Sequence, residues 1–107
     1  MEGELVERVQ TFISVGDRYV EKGNFELAYD SYLDALYAVA AIVAYRETGQ
    51  LMPVRELKPF LRVKHPEVYE IIEKYSGMLS FDEATVSALR KDVVELIGMM
   101  NLPSPEK

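Results

Sequence analysis

Residues 35–45 read ALYAVAAIVAY, eleven positions whose only polar side-chain atoms are the hydroxyls of Tyr37 and Tyr45. The residues around the run carry helical spacing, so it is the second half of a helix that is apolar on every side, and such a helix must be covered on every side. At eleven residues the run is shorter than the roughly 18–20 apolar residues a bilayer crossing needs. It is therefore expected at the centre of a helical assembly, with Ala35, Val39, Ile42 and Val43 among the least exposed residues. In a chain of 107 residues, a second copy is expected to help complete the cover.

Upstream, Leu5, Val6, Val9, Phe12, Ile13, Gly16, Tyr19 and Val20 recur at spacings of three and four between charged positions, which predicts an amphipathic helix over about 2–22. Gly23 and Asn24 both tolerate positive φ and suit a stop and a tight reversal. A second helix follows from Phe25 or Glu26 to Glu47, ended by Thr48 and Gly49. So short a turn makes the two helices a hairpin of antiparallel neighbours.

Downstream the pattern is less regular. Pro53 can open a short helix through Phe60, with Val54, Leu57, Phe60 and Leu61 as its contacts, but Pro59 removes a backbone donor and predicts a bend after one or two turns. His65 and Pro66 open a third helix over 66–76, with Val68, Tyr69, Ile71, Ile72 and Tyr75 inside, and Gly77 closes it. Ser80 followed by Glu83 matches a capping box, from which Phe81, Ala84, Val86, Leu89, Val93, Val94, Leu96, Ile97, Met99 and Met100 carry a fourth helix to about residue 100. The expected fold is all-α, an antiparallel up-down bundle of about four helices. It forms a single domain over residues 1–101 with a disordered polar tail over 102–107.

Composition narrows the chemistry. Hydrophobic residues make up 49% and charged residues 28%, the mix of a globular domain, and the absence of cysteine excludes disulfides, thiol catalysis and zinc–thiolate sites. MEGELVERV at residues 1–9 lacks a basic stretch followed by an apolar core, so no secretory signal is read and a cytoplasmic location, with no membrane partner, is the expectation. The net charge of −6 opposes general attraction to nucleic acid. One local exception exists: Arg55, Lys58, Arg62, Lys64 and the sole histidine, His65, share eleven residues with a single acid, Glu56. These four cations are the candidate nucleic-acid contacts, although a solvated connector explains them more simply.

Other constellations are weaker. Glu26, Asp30 and Asp34 form an acidic ridge at four-residue spacing, with Asp17 and Glu21 across the hairpin, and oxygen-rich ridges suit divalent cations. A solvated face explains the ridge equally well. One histidine cannot supply the paired Glu-x-x-His motifs of a di-iron bundle, and no glycine-rich phosphate loop is present, so no metal site and no cofactor are expected. Tyr29, Tyr32, Tyr37 and Tyr45 read as core or interface residues with hydroxyls at the rim, and Met99 and Met100 as gap-filling apolar contacts.

Two family resemblances follow from these segments. GDRYVEKGNFELAYDSYLDAL at 16–36 resembles one tetratricopeptide unit, with Gly16, Tyr19, Ala28, Tyr32 and Ala35 at that repeat's packing positions. Nothing after residue 48 repeats it, whereas solenoids need about three units. The resemblance implies, at most, a peptide-binding hairpin.

The second covers nearly the whole chain. The long first helix, the turn EKGNFELA at 21–28, the helix AYDSYLDALYAVAAIVAYRETG at 28–49, an irregular middle and SFDEATVSALRKDVVELI at 80–97 resemble HEPN-type domains. That resemblance implies a homodimer and, in many members, a metal-independent ribonuclease or a protein paired with a nucleotidyltransferase in toxin–antitoxin systems. Active members carry an arginine followed, after four to six residues, by a histidine. Here Arg62 leaves a gap of two residues before His65 and Arg55 a gap of nine, so the motif is not satisfied. His65 with Arg62 or Arg55 stays the catalytic alternative, and a non-catalytic binding or interaction protein is the leading expectation.

Overall fold

Two glycines in the left-handed region divide the first half of the molecule. In a computed structural model that describes residues 1–103, the helices are α1 (Glu2–Glu21), α2 (Phe25–Thr48), α3 (Val54–Lys64), α4 (Pro66–Ser76) and α5 (Glu83–Met99), and no strand occurs among the described residues. Gly23 stands at φ +74°, donates to the Val20 carbonyl at 2.9 Å, and lets Asn24 donate to the Tyr19 carbonyl at 2.8 Å, the paired bonds that close a helix C-terminus. Asn24 then caps α2, its side-chain oxygen accepting from the Leu27 amide at 3.4 Å. Gly49, at φ +73°, ends α2 with a bond to the Tyr45 carbonyl.

The hairpin is fixed by contacts at both ends. Glu2 binds Arg46, and Asp17 accepts from Tyr32, so α1 and α2 run in opposite directions. α1 buries Leu5, Val9, Ile13 and Gly16 against α2. α2 touches every other helix, and this is how the apolar run is covered. Ala35, Val39 and Ile42 are fully enclosed and Val43 is 7% exposed, as the sequence pattern predicts. One stripe of α2, Leu33, Tyr37, Ala41 and Tyr45 at four-residue spacing, is only partly buried. The fold thus covers the run itself, apart from that stripe. Taken whole, the 24 residues of α2 are long and apolar enough to cross a membrane, but 67% of the qualifying window is buried inside the protein, as in a core helix.

The middle of the chain is more helical than Pro59 predicts. α3 runs 11 residues through that proline, making five helices where about four are expected. Leu57 and Leu61, one turn apart, are both buried and hold the segment down on either side of the proline. Pro59 and Arg55 lie one turn apart on the exposed side, so the carbonyl that loses its helical donor is placed towards solvent. His65 then breaks the helix, leaving the α region that the following proline disfavours, at φ −142° and ψ 67°, and Pro66 opens α4.

α5 begins later than the Ser80 capping box implies. Asp82 is the cap, its Oδ1 accepting from the Thr85 amide at 2.8 Å, and Glu83 is the first helical residue. Asp82 has the stronger claim because its charge also meets the positive helix end, and the Thr85 amide holds its carboxyl below the usual value. The Phe81 ring, 4.8 Å from that of Tyr29, anchors the segment before it.

At the other end, Asn101 adopts φ 57°, Asn101 donates to Gly98 at 3.1 Å and Leu102 to Ile97 at 3.0 Å. Leu102, only 9% exposed, folds back onto the core, so the first residue of the expected tail closes α5. Residues 104–107 of that tail lie outside the described residues.

Candidate functional site

His65 sits where α3 meets α4, and its neighbours are acidic. Nε2 contacts Glu47 at the end of α2, and Nδ1 lies 4.0 Å from a Glu67 oxygen. The Phe60 ring is 6.2 Å away between centroids. The shallow cavity beside it, about 290 Å³, has an apolar floor of Val43, Val68 and Leu96. Arg46 also lines this cavity, but its guanidinium is held by both Glu2 oxygens, at 3.0 and 3.1 Å, and by the Met100 carbonyl at 2.8 Å. Met99, expected to fill a gap, is exposed at the rim, while Met100 is partly buried.

The candidate cations are dispersed. Lys58 and Arg62 line a separate concavity with Pro59, Val63 and Tyr69, and Lys58 is paired with Glu73 at 3.2 Å. Arg55 and Lys64 are exposed elsewhere on α3. Each predicted residue therefore lies on or beside one helix, yet His65 is met by Glu47 and Glu67 rather than by Arg62 or Arg55.

The acidic residues separate in the same way. Glu26, Asp30 and Asp34 are all exposed, while Asp17 faces Arg90, which donates to its two oxygens at 2.8 and 3.0 Å. Burial pushes the Asp17 carboxyl up, but the bonds from Arg90 and Tyr32 and the charge of Arg90 prevail and leave it below the usual value. Burial and the Asp17 bond raise the Tyr32 hydroxyl. Among the described residues, no three of His, Asp or Glu converge as a metal-ligand set.

The tyrosines behave as amphipathic core residues. Tyr29 and Tyr32 are buried, with hydroxyls on the Tyr75 carbonyl and on Asp17; Tyr75 is buried too and reaches Asp92 at 2.6 Å. Tyr37 is partly open and meets Ser76 Oγ at 3.1 Å. Arg90, which sequence reading does not single out, proves central to one network because α5 crosses near α1. No local spacing signals a pair 73 residues apart.

An opening with an apolar floor lies over the incompletely covered stripe of α2. Tyr37, Ala38 and Ala41 form its floor, Leu5 and Phe12 one wall, and Leu51, Met52, Pro53, Val54 and Leu57 the other, enclosing about 370 Å³. Leu51 is 50% and Val54 54% exposed. Among the described residues, Arg8 and Asp34 are the charged groups that line the opening. The groove offers, among the described residues, apolar contact area with one charge of each sign.

No protein-family model, curated protein or solved structure matches the chain.

Proposed function

We propose that this protein is a HEPN-like, non-catalytic interaction module: an antiparallel up-down helical bundle that works as a homodimer. The observation that carries the reading is the stripe Tyr37–Ala41 of the apolar α2, left partly open and continued by exposed Leu51 and Val54 into one groove. Apolar area of this kind, rimmed by charge, is the chemistry of protein association. The resemblance also brings a nucleotidyltransferase as the candidate second partner, and the reading keeps the cytoplasmic location expected from the N-terminal sequence.

The ribonuclease alternative needs an arginine to hold the scissile phosphate beside a histidine acting on protons. His65 instead faces Glu47 and Glu67, which repel a phosphate, and Arg46 in the same cavity is engaged by Glu2. Incubating the purified protein with single-stranded RNA decides between the two. The proposal expects intact RNA with wild type and with His65→Ala alike; cleavage by wild type that His65→Ala abolishes establishes the ribonuclease instead.

A further inference from the structure

We infer that the occupant of the α1–α2–α3 groove is the same groove of a second copy, locked by two symmetric Arg8–Asp34 ion pairs. This rests on the homodimer reading above and adds the face and the pairing that the dimer uses.

Among the described residues, the groove lacks an internal partner for either of its rim charges: neither Arg8 nor Asp34 forms an ion pair, although both line it. They do not meet within one molecule because the hairpin register keeps them apart. Glu2 stands level with Arg46 and Asp17 with Tyr32, which sets Arg8 level with about Ala40 and Asp34 level with about Ser14. That is an offset of about 9 Å along the hairpin at about 1.5 Å per residue. The apolar floor lies between these two charges.

This spacing has a symmetry consequence. A two-fold axis through the middle of the groove exchanges the two rim positions, so the partner's Asp34 comes to Arg8 and the partner's Arg8 comes to Asp34. The same patch then serves both copies, as closed two-fold dimers require. An axis shifted onto either charge would oppose like charges, so the rim selects the register as well as the partner. Asp34 favours an incoming cation independently: although the residue is exposed, loss of some water around its carboxyl and the charge of neighbouring Asp30 hold it above the usual value, a cost that a guanidinium relieves.

Charge exchange with sedimentation equilibrium tests the pairing. Arg8→Asp and Asp34→Arg are each expected to raise the dimer dissociation constant at least about tenfold, since each places two like-charge pairs in the interface. The double variant Arg8→Asp/Asp34→Arg is expected to return within about threefold of wild type. Circular dichroism and urea unfolding confirm that each variant folds, and Val54→Glu, which puts a charge on the exposed wall, is expected to weaken the dimer whatever the rim variants do to folding. A wild-type dimer indifferent to all these changes overturns this interface while leaving the homodimer reading intact. Weakened single variants that the double does not restore overturn the ion pairing. A monomeric wild type overturns both.

Discussion

A Cβ placed on Gly16 would lie 2.4 Å from one ring carbon of Tyr32 and 2.7 Å from a second, so the ring occupies the space a side chain would need. Gly16 is mid-helix, where alanine ordinarily gains about 1 kcal/mol. Here that gain is reversed, because Tyr32 is buried and its hydroxyl is fixed on Asp17. Gly16→Ala should lose about 1–3 kcal/mol in urea unfolding. An unchanged or raised midpoint would show that the two helices part without cost.

Asp17 should make stability acid-sensitive. Its carboxyl titrates below the ordinary 3.8 in the folded protein, so its contribution is fully present above that value and lost as pH falls through the folded pKa. Asp17→Asn should cost about 1 kcal/mol at pH 7, a figure kept small because the site is partly solvated, and should flatten the pH dependence below about 4. Urea midpoints between pH 2 and 7 report both effects.

Pro59 interrupts a helix that neighbouring leucines hold in place. Pro59→Ala restores an amide to pair with the Arg55 carbonyl on an exposed face and should raise stability by about 1–3 kcal/mol. Loss of stability would mean that the proline ring makes contacts that matter more than the missing bond.

The closure of α5 makes a paired prediction. Asn101 holds φ 57°, so Asn101→Gly should be neutral or stabilising by up to about 1 kcal/mol. Leu102→Ala, which strips the buried side chain that the turn brings back, should cost about 2 kcal/mol. Thermal unfolding of the two variants should therefore move in opposite directions or leave only the second displaced.

The parts of this fold legible in the sequence are those decided by local chemistry. Gly23, Asn24 and Gly49 mark helix ends because their backbone preferences act within a few residues, and the spacing of Leu5, Val9 and Ile13 gives the buried face of α1 directly. Pro59 misleads because its local cost is outweighed by Leu57 and Leu61, whose burial depends on where α2 and α4 pass. Ser80 misleads because a nearby aspartate makes a better cap, and Leu102 because its polar, proline-containing surroundings hide one residue that turns inward.

The candidate site was less legible. The basic cluster is visible as composition, but the Glu47 that meets His65 comes from another helix, and the Arg90 that meets Asp17 is 73 residues distant. Arg8 carries no spacing signal, and the four-residue spacing that picks out Asp34 groups it with Glu26 and Asp30 rather than with Arg8. Arg8 and Asp34 share a groove because the hairpin register and the position of α3 place them there.

On the homodimer proposal, the stripe that α2 leaves open is covered by another copy of the chain. Sedimentation equilibrium of the wild-type protein over a micromolar concentration series measures this most directly. The expected result is a mass approaching twice the 12.2 kDa of one chain as concentration rises. A single species of 12.2 kDa throughout the series would contradict it.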